Sequence, residues 1–401
     1  MKRVLFVLPS LNSGVGPPNC LINTLCLLPQ CDYEYDLLLI SRYDERFAHC
    51  WDRIPSWVNV LPPLYQLETF SPLLISELRI NGLHEAADIK ERVRGWNIRD
   101  GVDVYRNWEE LKRITPEYKG YDIAIAYTED IALQIVIDRV SARKKIGWIH
   151  TDYKLSFDQE YIRRKLPYWE CMDKIVCVSH QNADSFAECY PGLREAVKVI
   201  YNPNDSTYIK KQAAKFYPQE YLGEKDCIKI FTAGTIGFRK GTDLIVNAIK
   251  LLLKEGYNCR WFLSGNIGGG ESHRGDECVR LITEEGLEDH IVLLGYKHNP
   301  YPYFANCDIY VQPSRYEGLS IAIQEAMILH KPILVTNHSS VSEVITDGKT
   351  GIICDIDAGD LAQKLKILIG DEVLRDKLVK NLEKHNFTQN DTTSEIADLL
   401  R

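Results

Sequence analysis

The sequence has no apolar run approaching the ~18 residues that a membrane-spanning helix requires. The apolar stretch at residues 4–8 follows two basic residues but stops at Pro9. That is short of the ~7–15 residues of a secretory h-region, so no targeting segment is expected. Basic charge is not in excess either. Lys plus Arg is 48 against 56 Asp plus Glu, a net charge of -8. A dedicated nucleic-acid binder usually carries a basic footprint, so nucleic acid is not an expected partner. There is no CxxC, no HxxxH and no paired His/Cys spacing of a zinc site, and no bound metal or cofactor is expected. Asp355-Ile356-Asp357 spells a DxD, but it follows a short strand late in the chain and reads as a turn. No heptad is sustained and no motif recurs at a fixed offset, which excludes coiled coils and repeat arrays.

Cysteine is not scarce. Its 12 copies are scattered, several inside apolar runs such as Ile175-Val176-Cys177-Val178. Free cysteine behaves as a small buried hydrophobe, and a secreted disulfide framework suits shorter, denser chains. The setting expected is reducing and cytoplasmic, with attachment at most to the inner face of a membrane. At ~100–200 residues per domain, 401 residues make two domains. With 45% hydrophobic and 26% charged residues, both can be globular.

The chain opens as a strand to residue 8, a glycine loop, an apolar helix and a second strand at 35–40. This is the α/β rhythm of a parallel sheet. A helix is expected over residues 76–96 and another near 108–113. Short strands follow at 122–127, 144–150, 175–179 and 197–201. Residues 202–226 lack an apolar period and read as a linker between a first domain, 1–201, and a second, 227–380. The rhythm then restarts with strands at 228–233, 260–264, 291–294, 309–312 and 333–335. The tail, 381–401, contains a possible helix at 394–400.

The most informative stretch runs from Pro313 to Met327. It follows a strand and opens a helix, and in open parallel sheets ligands bind outside the carboxyl ends of strands. A helix beginning near Gly318 would aim free N–H groups there, through Gly318, Leu319 and Ser320, which suits an anion. Glu317 and Glu325 are eight residues apart, about 12 Å along a helix. Carboxylates accept paired hydroxyl hydrogen bonds, so the two could address the ends of a sugar–diphosphate–nucleoside.

Glu317 and Glu325 form an E-x7-E pair. With Arg315-Tyr316-Glu317-Gly318 and Gln324-Glu325-Ala326-Met327, it resembles the signature of family-four retaining glycosyltransferases of the GT-B fold. Lys331-Pro332-Ile333-Leu334-Val335-Thr336 and Asp347-Gly348-Lys349-Thr350-Gly351 are similar to that family's next strand and turn. The resemblance implies two Rossmann-like domains with the active site in the cleft between them. The first domain would hold the acceptor and the second the nucleotide sugar, and the tail would cross back to the first. It also implies a metal-independent, retaining transfer in which the leaving phosphate helps to deprotonate the acceptor.

The resemblance assigns the remaining residues. In Ala233-Gly234-Thr235-Ile236-Gly237-Phe238-Arg239-Lys240-Gly241, Lys240 would bind the donor phosphates. Arg239 would stand in for an arginine common at the position of Thr235. His150 and Glu317 would hold the reacting sugar, Glu325 the ribose, and Tyr296 would lie near the base. Gly14 and Gly16 sit in the loop that usually carries paired glycines beside donor phosphate or acceptor; Val15 and two prolines depart from that pattern. The glycine run at 264–270 is either a lid near the donor or a flexible connection. The clusters Arg139, Arg143, Lys144, Lys145 and Arg163, Arg164, Lys165 would suit an anionic membrane surface, or are ordinary solvated helix ends. The partners implied are a nucleoside-diphosphate sugar, with a UDP-sugar favoured, and a glycan or lipid-linked acceptor in polysaccharide assembly. A nucleotide-sugar 2-epimerase and a non-catalytic nucleotide-sugar-binding module are the rival readings.

Overall fold

The computed structural model describes all residues except 13–15, 69–72, 101, 224–226, 269–273 and 385–389. The chain forms two compact units. The first comprises Met1–Val178, Asn182–Tyr201 and Asp391–Arg401; the second comprises Ser179–Gln181 and Asn202–Asn390.

The first unit is built on seven strands: β1 (Lys2–Leu8), β2 (Tyr33–Leu39), β3 (Val58–Val60), β4 (Tyr118–Ala126), β5 (Val140–Ile149), β6 (Lys174–Cys177) and β7 (Val197–Val199). Their order is β3-β2-β1-β4-β5-β6-β7, with every pair parallel. Parallel strands need helical crossovers that cover both faces, so central strands read as unbroken apolar runs. Val4 to Leu8 are all buried. The second unit repeats the plan with β8 (Ile228–Ala233), β9 (Cys259–Ser264), β10 (Ile291–Gly295), β11 (Ile309–Gln312), β12 (Ile333–Thr336) and β13 (Ile352–Cys354). Their order is β10-β9-β8-β11-β12-β13, again all parallel. The sheet order reverses between β1 and β4 in one unit and between β8 and β11 in the other. At such points loops leave in opposite directions and open a crevice at the carboxyl edge.

Two expectations need correction. Residues 202–226 are not a linker through their described part. Asp205 caps the helix Ser206–Ala213 by accepting from Tyr208 N–H at 2.8 Å. Ile209, Ala213 and Tyr221 are buried in the second unit's core. Their sparse apolar residues fall on one side of short elements, too few to form a legible period. The helix expected over 76–96 is two, Leu73–Ile80 and His84–Asp100. Gly82, at φ +75°, supplies the left-handed residue that ends the first. The basic clusters are largely engaged within the unit. Arg139 pairs with Glu117, Arg143 with Asp122 and Arg164 with Asp103, and Lys165 is buried.

The terminal helix Asn390–Leu400 belongs to the first unit from Asp391 onward. Its last carbonyls carry the negative end of the helix dipole and attract ammonium groups. Lys144 Nζ donates to Leu399 O at 2.7 Å and Lys2 Nζ to Arg401 O at 3.0 Å. Ile396, Leu399 and Leu400 are buried. None of the twelve cysteines forms a disulfide. No helix among the described residues is long and apolar enough to cross a membrane.

Leu400→Ala should destabilise the first unit by about 2–4 kcal/mol, the cost of an unfilled core site. Urea unfolding should show an earlier first-unit transition, and an unchanged midpoint would detach the helix from that core.

Candidate donor site

In the second unit, the loops after β8 and β11 leave from the two sides of the switch point. The β8 loop runs through Gly234 to a single 3-10 turn, Phe238–Lys240. The β11 loop runs through Pro313 and Ser314 to Glu317. Arg315 ties one loop to the other. Its guanidinium donates to both carboxylate oxygens of Asp243, at 2.8 and 2.7 Å, and to the carbonyl of Phe238. It also stacks on the Phe238 ring, 3.5 Å from the centroid, while its backbone N–H donates to Arg239 O at 2.9 Å. A planar five-donor fork can make all these bonds at once, as an ammonium cannot.

With the loops pinned, Lys240 Nζ lies 2.5 Å from Glu317 Oε1, and both side chains are nearly buried, at 14% and 8% exposure. Burial by itself would push the Glu317 carboxyl up. The Lys240 ammonium, with Arg239 and His338, outweighs it and holds Glu317 at about 2. A second set of bonds orients the same carboxylate. Tyr310 donates to Gln312 Oε1, Gln312 Nε2 to Ser314 Oγ at 2.8 Å, and Ser314 Oγ to Glu317 Oε1 at 2.7 Å. Both Glu325 and Glu317 act on the buried Tyr310 hydroxyl, whose pKa is raised first by burial and then by these two charges. The E-x7-E carboxylates therefore share one neighbourhood. Tyr301 OH donates to Glu325 Oε1 at 2.9 Å.

The helix begins later than expected. It spans Ile321–Ile328, with Ser320 as its N-cap in extended conformation. Gly318 and Leu319 precede it, so the free first-turn N–H groups belong to Ile321 and the residues after it, not to Gly318–Ser320. Glu317 stands in the loop, and the 12 Å helical spacing to Glu325 does not apply. Ser320 is buried and makes no side-chain cap bond.

His338 was not picked out from the sequence. It follows β12, is 3% exposed, and its Nε2 has no hydrogen-bond partner among the described residues. Its Nδ1 is 3.4 Å from Ser340 Oγ, which in turn donates to Glu317 O at 3.3 Å. Burial, reinforced by Lys240 and opposed by Glu317, lowers its pKa to about 4. The only sequence signal was a histidine in a loop after a strand. Tyr310, Gln312 and Ser314 had a better one, a polar residue at every second position leading out of a buried strand.

Arg239 stands beside the Lys240–Glu317 pair, and the other expected residues lie elsewhere. Arg239 Nε has no hydrogen-bond partner among the described residues, and its guanidinium lies 5.8 Å from the Tyr316 ring. Tyr296 is half-buried and meets His298 edge-on at 5.2 Å. The 264–270 run is stitched down through its described part: Gly268 N–H donates to Ile236 O at 2.9 Å. Asp357 caps the helix Ala358–Gly370. Gly14 lies outside the described residues, and Gly16, at φ +64°, precedes the helix Pro17–Leu27. His150 belongs to the first unit, at the end of β5. Burial holds its pKa down at about 3, so its ring is neutral, and its Nε2 has no partner among the described residues. Its backbone N–H faces Glu129 at 3.5 Å. Burial, with Asp130 nearby, raises that carboxyl to about 7; Glu129 was also missed.

A sequence model for "Glycosyl transferases group 1" matches residues 214–385. That stretch covers most of the second unit, which is similar to group 1 glycosyl transferases. The likeness to family-four enzymes read from residues 315–351 thus falls inside the matched stretch. Over 166 residues the chain is 28% identical to an alpha-D-kanosaminyltransferase of Streptomyces kanamyceticus, covering 41% of this chain and 42% of that one. It is 34% identical over 117 residues to a Campylobacter jejuni N-acetylgalactosamine-N,N'-diacetylbacillosaminyl-diphospho-undecaprenol 4-alpha-N-acetylgalactosaminyltransferase, 29% of this chain and 32% of that one. The chain therefore spans less than half the length of these two relatives. The crystal structure of Anabaena Alr3699/HepE in complex with UDP and glucose aligns over 100% of this chain and 99% of that one, with a TM-score of 0.72 at 20% identity. The chain has this α/β GT-B fold.

Two outcomes are expected of the second unit. Gly241 sits at φ +72°, and an added Cβ would lie 1.9 Å from Pro313 O. Gly241→Ala should cost at least about 1–3 kcal/mol by forcing the two loops apart. Wild-type urea stability would contradict that packing. The buried neutral His338 binds fewer protons folded than unfolded between pH 4 and 6.5. Its share of the stability should fall as pH drops through this window, by at most about 3 kcal/mol, and be fully present above it, alongside a like contribution from His150. His338→Gln should flatten that slope, and an unchanged slope would place the proton uptake elsewhere.

Proposed function

We propose that the chain is a metal-independent, retaining hexosyltransferase. It moves a sugar from a nucleoside diphosphate, with UDP favoured, to an acceptor hydroxyl in polysaccharide or lipid-linked glycan assembly. The observation that carries this reading is the buried Lys240–Glu317 pair at the β8/β11 crevice. A buried ion pair contributes little net stability, because desolvation offsets the attraction. It does place a cation and a carboxylate where a charged donor would enter.

An incoming diphosphate competes for Lys240 and releases Glu317 to accept sugar hydroxyls. Arg239 and the first-turn N–H groups at Ile321 add positive potential where charge grows on the leaving group. Gly318, Leu319 and Ser320 shape the approach to that helix. Glu325 takes the ribose hydroxyls, and Tyr296 lies beside the base. His150, held neutral, accepts a hydroxyl of the sugar. The glycosidic C–O bond to the diphosphate breaks as the acceptor oxygen bonds to the same carbon from the same face. The acceptor proton passes to the leaving phosphate. UDP in the HepE structure and the diphospho-undecaprenol in the Campylobacter relative's name support a UDP-sugar and a lipid-linked glycan. A cytoplasmic location accords with this reading.

Incubation with UDP-, GDP-, ADP- and TDP-sugars should release diphosphate from one of them, unchanged by chelator. Lys240→Ala and Glu317→Ala should each lower turnover by about 10²–10³ or more. Wild-type rates in either folded variant would refute the assignment. An isomerised sugar nucleotide without release would mark an epimerase, and tight binding without turnover for any donor and acceptor a binding module.

A further inference from the structure

His338 has no part in the chemistry proposed above, yet it is built into the same site. It follows β12, which pairs with β11, the strand that leads to Glu317. It is 3% exposed. Its hydrogen bonds fix which ring nitrogen carries the hydrogen. Ser340 gives its single hydroxyl hydrogen to Glu317 O, at 3.3 Å. It can therefore only accept from His338, whose Nδ1 is 3.4 Å away. Nδ1 must carry the hydrogen, and Nε2 is left with a bare lone pair. That nitrogen is buried and has no hydrogen-bond partner among the described residues. A buried acceptor in this state calls for a partner that arrives later.

Charge decides what that partner is. Lys240 and Glu317 are the charged groups that act on the ring, with Arg239 beyond them acting on Glu317. In the unliganded protein the Lys240 ammonium meets the carboxylate and, together with burial, keeps the ring neutral. A donor diphosphate would draw that ammonium to itself and add negative charge beside the ring. Glu317 would then be a buried carboxylate whose cation is shared, a state that is costly without a second partner. The bare Nε2 can supply one by accepting a proton, which makes the ring a cation with both nitrogens as donors.

We infer that His338 is a positioning residue for Glu317: as the donor diphosphate engages Lys240, Nε2 takes up one proton from solvent, and the imidazolium holds the carboxylate by its charge and through Ser340. The inference rests on the donor reading above. Calorimetric titration with UDP-glucose, GDP-mannose, ADP-glucose and TDP-glucose at pH 6, in buffers of different ionisation enthalpy, counts the protons exchanged. A diphosphate diester has no group that titrates there. The donor that binds should bring in at least about half a proton, as a ring returning toward ordinary histidine behaviour requires. In His338→Gln the uptake should vanish. Should that variant not fold, ¹⁵N-histidine spectra of the wild type, assigned through His338→Asn, should show the ring pass from Nε2-bare to imidazolium as donor is added. Binding without uptake would overturn the inference and leave the donor reading standing. So would uptake that persists in His338→Gln, which would come from His150 or Glu129. Failure of all four donors to bind would remove the donor reading, and this inference with it.

Discussion

The second unit is organised around one constraint: a lysine and a glutamate 77 positions apart must meet where water is scarce. Removing either partner would leave an uncompensated buried charge, which costs far more than the pair contributes. The surroundings are arranged to keep the two together. Arg315 locks the lysine loop to the glutamate loop through four contacts of different kinds. The Tyr310–Gln312–Ser314 series fixes the carboxylate from the strand side. Gly241 lets the backbone of one loop press against Pro313 of the other.

Such a pair is also poised for exchange. Each charge answers the other: the carboxyl of Glu317 is held low, while burial, opposed by Glu317, pulls the Lys240 ammonium below its ordinary value. In the proposed reaction a dianionic ligand would offer the ammonium a stronger partner and leave the carboxylate to find hydroxyl donors. His338, neutral and short of a hydrogen-bond partner, sits where that rearrangement would be felt. The proposed chemistry would draw on charge preorganised in a buried crevice, a setting in which it is worth far more than in water.

The two units share one topological device with different linings. In the second, the crevice at the sheet reversal is charged. In the first, the corresponding edge opens into a cavity lined by apolar and aromatic side chains together with several polar and charged ones. The division follows from the residues that each set of loops carries, since the sheets themselves are equivalent in pattern.

Much of this was legible in sequence because it is local. Strand, glycine loop and helix follow one another along the chain, so the two α/β units, the Lys240 loop and the Glu317–Glu325 signature could be read from apolar runs and spacing. The helix start was misplaced because Gly318 to Ser320 carry no cue separating a loop from a first turn. Residues 202–222 looked like a linker because their few buried side chains gain meaning only against the second unit's core. What pairing across the sheet decided was non-local: β11 lies beside β8, which brings Glu317 to Lys240, and β12 beside β11, which brings His338 to both. The sequence by itself determined which loops would carry charge. Only the tertiary structure decided which charges would meet, because strand order in a parallel sheet is set by packing of whole layers and not by any single stretch of chain.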